Sequence, residues 1–258
     1  MHELHFTVQD QIATVTIARP EQHNAVTYEM WRALPDICHR IDANQEVRVV
    51  IWRGAGSDAF SAGGDIAEFR DHRSNRSQAI AYNDCVQTAL NAMLAVRKPS
   101  IALVKGYCVG GGFLLAAHCD LRIAADNARF GLPVARLGFL ITYPQMQRFV
   151  QMFGATTISD LLLTARLIDA QQALVAGLCS QVHPLDTIDD VVLHLAQTMT
   201  RLSPLTEHLH KVMLQTVLQK PDLAQLTADE IAVVEAMFDS ADYAEGVRAF
   251  IEKRSPRF

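Results

Sequence analysis

The chain has 258 residues, enough for one large domain with a substantial core, and 50% of them are hydrophobic. Its formal net charge is −5 and no extended basic stripe is present, which argues against a nucleic-acid partner. No apolar run is long enough for a membrane span, residues 1–10 lack the apolar core of a signal peptide, and the five cysteines (Cys38, Cys85, Cys108, Cys119, Cys179) show no Cys-x-x-Cys spacing, so a soluble cytoplasmic protein with reduced thiols is expected.

In chain order, Leu4–Val8 and Ile12–Ala18 alternate as two strands of a hairpin. A polar loop, Arg19 to Asn24, leads to Thr27, which caps an expected helix over Tyr28–Ala43 that Pro35 threatens to interrupt. Val47–Trp52 is β-branched and reads as a core strand, and a glycine-bearing loop, Gly54–Gly64, follows it. Asp65 caps a short helix reaching Arg70, and the polar segment with Arg70, Arg73 and Arg76 reads as a mobile surface loop. Ser77–Val96 has helical periodicity through Ile80, Val86, Leu90, Met93 and Leu94, Ser100–Val104 is a buried strand, Phe113–Ala117 a helix, and Leu121–Ala125 another strand. This alternation predicts a layered α/β core with crossover connections. Beyond Phe130 helices are expected over Gln145–Phe153, Thr156–Leu163, Asp169–Ala176 and Ile188–Leu202, with a short extended piece at Ser180–His183. From Pro204 the chain reads as almost wholly helical: Leu205–Leu218, Thr227–Phe238 and Tyr243–Lys253.

The chemistry centres on Lys105–Asp120, where a strand, three glycines (Gly110, Gly111, Gly112) and a helix follow one another. A helix start carries unpaired backbone N–H groups and favours negative charge, and glycine allows close approach to them. The alternative reading is a tight turn that packs a helix on a sheet. A second glycine site, Ala62-Gly63-Gly64-Asp65-Ile66, again follows a strand and precedes a capped helix. Two such loops converging on one oxygen make an oxyanion hole. Gly54-Ala-Gly-Ser-Asp-Ala59 imitates a dinucleotide-binding pattern, but Phe60–Gly64 interrupts the helix that pattern requires. No nucleophile elbow, phosphate loop or His-Glu-x-x-His is present, and His208 and His210 point to different sides of a helix, so no metal site is expected.

With these residues in view, the chain resembles the crotonase superfamily, the enoyl-CoA hydratase/isomerase family. The matching segments are Ala18–Ala25, Ala59–Ile66, Gly106–Gly112, Cys119–Ala125 with Ala128–Gly131, and the tail Gly246–Arg254, in order along essentially the whole chain. The resemblance implies an α/β spiral of strand–strand–helix units over residues 1–195 and a helical C-terminal trimerisation region over 196–258. It also implies a homo-oligomer, trimer or dimer of trimers, and acyl-CoA substrates, with coenzyme A entering as part of the substrate and no separate cofactor. By position, the N–H groups of Gly64 and Gly111 would hold the thioester oxygen as an enolate forms. Gln22, His23 and Ala25 match the loop that touches coenzyme A, Ala62 matches a residue whose carbonyl meets adenine, and Asp65 and Ile66 belong to the same matched segment. Phe250 and Lys253 match tail residues that approach the nucleotide, commonly from a neighbouring subunit; a solvated helix end is the other reading of Lys253.

The pattern breaks where water-adding members carry two glutamates: Leu114 and Val134 stand at those positions. Neither side chain exchanges protons, and a positioned acid–base is worth ~10² to 10⁴ in rate. A hole that stabilises an enolate without a base suits decarboxylation of a malonyl-type thioester. Hydration or isomerisation with a non-standard acid–base, and a non-catalytic acyl-CoA-binding protein, are the alternatives. Tyr143 is a candidate hydroxyl for the acyl pocket, with packing beside Pro144 as its rival role. Asp65 is expected to be a cap, Glu68 to face solvent, and Cys108 and His118 to pack.

Overall fold

The computed structural model describes residues 3–258. Strands β1 (Leu4–Gln9) and β2 (Ile12–Ile17) form the expected hairpin, and the two turn residues Asp10 and Gln11 both take positive φ (49° and 66°), the twist-matched geometry of a two-residue connection. Helix α1 (Tyr28–Ala43) starts where the Thr27 hydroxyl accepts the Met30 N–H at 3.2 Å. It runs unbroken through Pro35 and buries Met30, Trp31, Leu34, Ile37, Cys38 and Ile41, one stripe at helical spacing. Strand β3 (Val49–Gly54) then lies parallel to β2.

From here the chain repeats one move. Strand β3 is followed by a three-residue strand β4 (Ala59–Ser61), a short helix α2 (Phe69–His72) and the long helix α3 (Arg76–Ala95). Strand β5 (Ser100–Val104) leads to β6 (Tyr107–Val109) and α4 (Gly111–Ala117), and β7 (Leu121–Ala125) leads to β8 (Arg129–Gly131) and α5 (Tyr143–Phe153). Helix α6 (Ala155–Thr164), strand β9 (Leu167–Asp169), helix α7 (Ala170–Val175) and strand β10 (Gln181–His183) complete the core. The first strand of each unit joins a six-stranded sheet of order β1-β2-β3-β5-β7-β10, and the second joins a four-stranded sheet of order β4-β6-β8-β9. All pairings are parallel except β1–β2 and β8–β9. Three consecutive strand–strand–helix units thus wind as the expected spiral.

The large sheet is covered on both faces, so its strands read as continuous apolar runs. Along β3 and β5, Val50, Trp52, Ala102 and Val104 pack on the α1–α3–α4 side, while Val49, Ile51, Ile101 and Leu103 face Ile188, Val192 and Ala196 of α8 (Ile188–Met199). Helix α8 passes through position 195. Helices α9 (Pro204–Gln219), α10 (Ala228–Ala236) and α11 (Ala241–Ile251) follow, and Ala249 is the one buried residue among them.

Two expectations need correction. The Gly54–Gly64 stretch is not all loop, because Ala59–Ser61 is the buried strand β4. The segment from Arg70 to Arg76 is not a free surface loop, because its first residues form α2 and Arg73 is held by three aromatic rings described below.

Candidate active site

Three loops meet at one end of the sheets. In the first, His23 and Asn24 both adopt left-handed backbone (φ 48° and 56°). Asn24 is fully buried, and its amide donates to the carbonyls of Ala55 (2.9 Å) and Ala59 (2.6 Å) while its oxygen accepts the Arg19 N–H at 3.0 Å. Arg19 in turn bonds the Ala25 carbonyl at 2.8 Å and pairs with Asp65 at 2.9 Å. The backbone closes the joint: Ala62 N–H donates to His23, Val26 N–H to Gly63, and Asp65 N–H to Val26. Gln22, His23, Ala25, Ala62, Asp65 and Ile66 are therefore brought together, with Asp65 capping the turn at Ala67 as its position suggested.

The second and third loops carry Gly63-Gly64 and Gly110-Gly111-Gly112. A β-carbon on Gly112 would lie 2.3 Å from the Ser61 carbonyl, so only glycine lets α4 seat on β4. The contact sets the two loops edge to edge. A β-carbon on Gly111 would lie 3.0 Å from the Gly64 nitrogen and 3.2 Å from Trp31 Cζ2. Among the described residues neither the Gly64 nor the Gly111 N–H finds an acceptor, whereas the flanking Gly63 N–H donates to Ser61 Oγ at 3.1 Å and the Gly110 N–H to Gly131 at 3.0 Å. Gly111 is the first residue of α4, where a free N–H and the helix dipole coincide. Two adjacent free amides are what an oxyanion hole requires.

Both amides open into a cavity of about 150 Å³. Its walls include Trp31, Phe69, Tyr82, Leu114, Val134 and Ile141. Leu114 and Val134 thus line the same cavity as the amides. Among the described residues no Asp, Glu, His, Lys or Cys lines the cavity. Its titratable hydroxyl is Tyr82, which would stand 3.1 Å from a β-carbon on Gly64 and which burial, above all, pushes up to about 12. The Trp31 indole N–H is buried there without a hydrogen-bond partner.

Other candidates lie elsewhere. Tyr143 opens α5 with its side chain 92% exposed, outside the cavity lining. Glu68 does not simply face solvent, because its carboxylate accepts the Tyr28 N–H at 2.7 Å. Cys108 is fully buried, and burial raises its thiol well above the ordinary range. His118 ends α4 with Nδ1 2.7 Å from the Leu114 carbonyl, and burial pulls it down to about 4. Phe250 and Lys253 sit at the end of α11, away from the cavity of this chain. Sequence reasoning passed over Tyr82 and Arg73. Tyr82 continues the stripe of Val86, Leu90 and Met93, a signal that was there to be read.

A spiral of strand–strand–helix units, with two free amides side by side over a largely apolar cavity, defines a crotonase-type fold. The profile of the enoyl-CoA hydratase/isomerase family, which acts on acyl-CoA thioesters, matches residues 7–258, and the chain belongs to that family. It is 33% identical over 258 residues to the 2,3-dehydroadipyl-CoA hydratase of Escherichia coli, covering 100% of this chain and 99% of that protein. It is 32% identical over 248 residues to a probable enoyl-CoA hydratase of Mycobacterium tuberculosis, covering 96% and 94%. Among solved structures, an enoyl-CoA hydratase/carnithine racemase from Magnetospirillum magneticum superposes with a TM-score of 0.94 at 35% identity, covering 100% of this chain and 96% of that one. Among the described residues no helix is long and apolar enough to cross a membrane.

Proposed function

We propose that the chain binds a short acyl-CoA thioester, holds its carbonyl oxygen between the Gly64 and Gly111 N–H groups, and forms the enolate by losing a carboxyl group rather than by abstracting a proton. One observation carries this reading: among the described residues, none that lines the cavity beneath the two free amides carries a carboxylate, imidazole or thiol to act as base. Leu114 and Val134, which occupy the positions matched to the hydratase glutamates, are aliphatic.

On a malonyl-type thioester the bond from the α-carbon to the carboxyl carbon breaks and carbon dioxide departs. The electron pair stays as the enolate, whose oxygen the two amides stabilise; one such donor is worth ~10² to 10³. The α-carbon then takes a proton from Tyr82, which stays protonated across the working range because of its raised pKa and regains a proton from solvent. Tyr143, exposed and outside the cavity, is given no part in the step. The cluster of Gln22, His23, Ala25, Ala62, Asp65 and Ile66 is assigned to coenzyme A, and Phe250 and Lys253 to the nucleotide of a neighbouring subunit. Exposed Leu214, Val217, Ile231, Val234, Phe238 and Ile251 on α9 to α11 support association of subunits through this region.

The names of the relatives favour a second reading, hydration of an enoyl-CoA with an unusual acid–base. Two incubations separate them. Malonyl-CoA converted to acetyl-CoA and carbon dioxide, with crotonyl-CoA bound but its enoyl absorbance unchanged, is the expected result. Rapid loss of that absorbance with no decarboxylation would overturn the proposal.

A further inference from the structure

We propose that the acyl group taken by this pocket carries its own carboxylate and that Arg73 is the residue that recognises it. This rests on the thioester reading above and names the class of acyl group.

Among the described residues, Arg73 is the one charged residue that lines the cavity. It follows α2, and its guanidinium carbon lies 4.3 Å from the ring centre of Phe139, 5.1 Å from that of Phe69 and 5.2 Å from that of Tyr82. Three π faces hold the cation and orient the fork. Nη2 donates to the Asn83 amide oxygen at 3.0 Å. No carboxylate among the described residues comes within ion-pair distance of it.

Several other arginines have their charge or their donors met within the fold. Arg19, Arg97, Arg166 and Arg254 each meet a carboxylate. Arg122, which is buried, spends its donors on the carbonyls of Leu178, Ala116 and Cys119 and so braces the core. Arg73 does neither. A guanidinium has five N–H donors in a planar fork matched to a carboxylate, and most of these are unspent toward a largely apolar cavity. Taking such a charge partly out of water without a counter-ion is costly, and an anionic substituent on the ligand supplies that counter-ion. A methyl-terminated acyl chain would leave it unmet.

The test uses matched pairs of thioesters that differ only in charge: malonyl-CoA against malonamyl-CoA, and glutaryl-CoA against its terminal carboxamide. Affinities are measured in the unaltered protein and in Arg73→Gln and Arg73→Lys, by calorimetry for the thioesters that are not turned over and by stopped-flow binding ahead of turnover for malonyl-CoA. The expected result is that the carboxylate binds roughly tenfold tighter than its amide in one of the pairs, that Arg73→Gln brings the pair to within about twofold, and that Arg73→Lys falls between. Preference in the malonyl pair puts the guanidinium on the group that decarboxylation releases; preference in the glutaryl pair puts it on a carboxylate the product keeps. Equal affinities in both pairs in the unaltered protein, where folding of a variant is not in question, would overturn the proposal. So would a preference that survives Arg73→Gln. If the amides bind while no preference appears, Arg73 alone is misassigned; if no thioester binds more tightly than free coenzyme A, the thioester reading fails.

Discussion

Replacing Gly111 tests the chemistry of the proposed oxyanion hole against its packing. Alanine at 111 adds a methyl 3.0 Å from the Gly64 nitrogen and 3.2 Å from Trp31, tighter than ordinary contact by a few tenths of an ångström. Proline adds the same β-carbon and also removes the Gly111 N–H. Position 111 is the first of α4, where proline is tolerated, and its N–H has no acceptor in the fold, so that deletion costs no internal hydrogen bond. Proline's ring Cδ also takes the place of the amide hydrogen, so the ratio of the two variants reports loss of the donor together with the filling of its place. Gly111→Pro should have a kcat at least ~10² to 10³ below Gly111→Ala, at least ~2.7 to 4 kcal/mol of transition-state stabilisation. Malonyl-CoA decarboxylation followed by acetyl-CoA formation is the assay, with thermal melting to confirm that both variants fold. A kcat ratio near one between two folded variants would refute the reasoning, because the amide would then contribute nothing.

Three further outcomes follow from the same geometry. Tyr82→Phe should lower turnover ~10²-fold or more while leaving acyl-CoA affinity nearly unchanged, measured as kcat and as Kd by calorimetry. Gly112→Ala, whose methyl would meet the Ser61 carbonyl at 2.3 Å, should destabilise the fold by at least ~1 to 3 kcal/mol in urea unfolding. His118 is held neutral, with burial taking it down to about 4 from an ordinary value of 6.5, so between those pH values the unfolded chain binds a proton that the folded chain refuses. Stability from this group is full above pH ~6.5 and is lost as pH falls toward ~4, up to ~3 kcal/mol, and His118→Asn should flatten that dependence in urea titrations across the range.

The long elements were legible because their signals are local. Thr27 before an apolar stripe marked α1, and the β-branched run at Val47–Trp52 and the short apolar run at Ser100–Val104 marked the parallel core. Pro35 suggested a break that did not occur; the buried stripe from Met30 to Ile41 holds the helix through it. The second sheet was harder, because β4, β6, β8 and β9 have three residues each, too few for any period to show. Helix α4 begins at Gly111, two residues before the expected Phe113, because glycine's poor helix propensity is overridden by the close seat on Ser61. The paired glycine loops were readable from their places after a strand and before a helix, and the fold sets them side by side. Arg73 was not: in sequence it belongs to a polar run, and only the rings of Phe69, Tyr82 and Phe139, brought from three separate stretches, turn it toward the cavity.

The measurement closest to the central claim is the infrared spectrum of bound acetyl-CoA labelled at its thioester carbonyl. If the Gly64 and Gly111 N–H groups grip that oxygen, the stretch shifts to lower frequency on binding and returns most of the way toward its solution value in Gly111→Pro. An unshifted band in the bound complex, or an identical shift in the proline variant, would contradict the account.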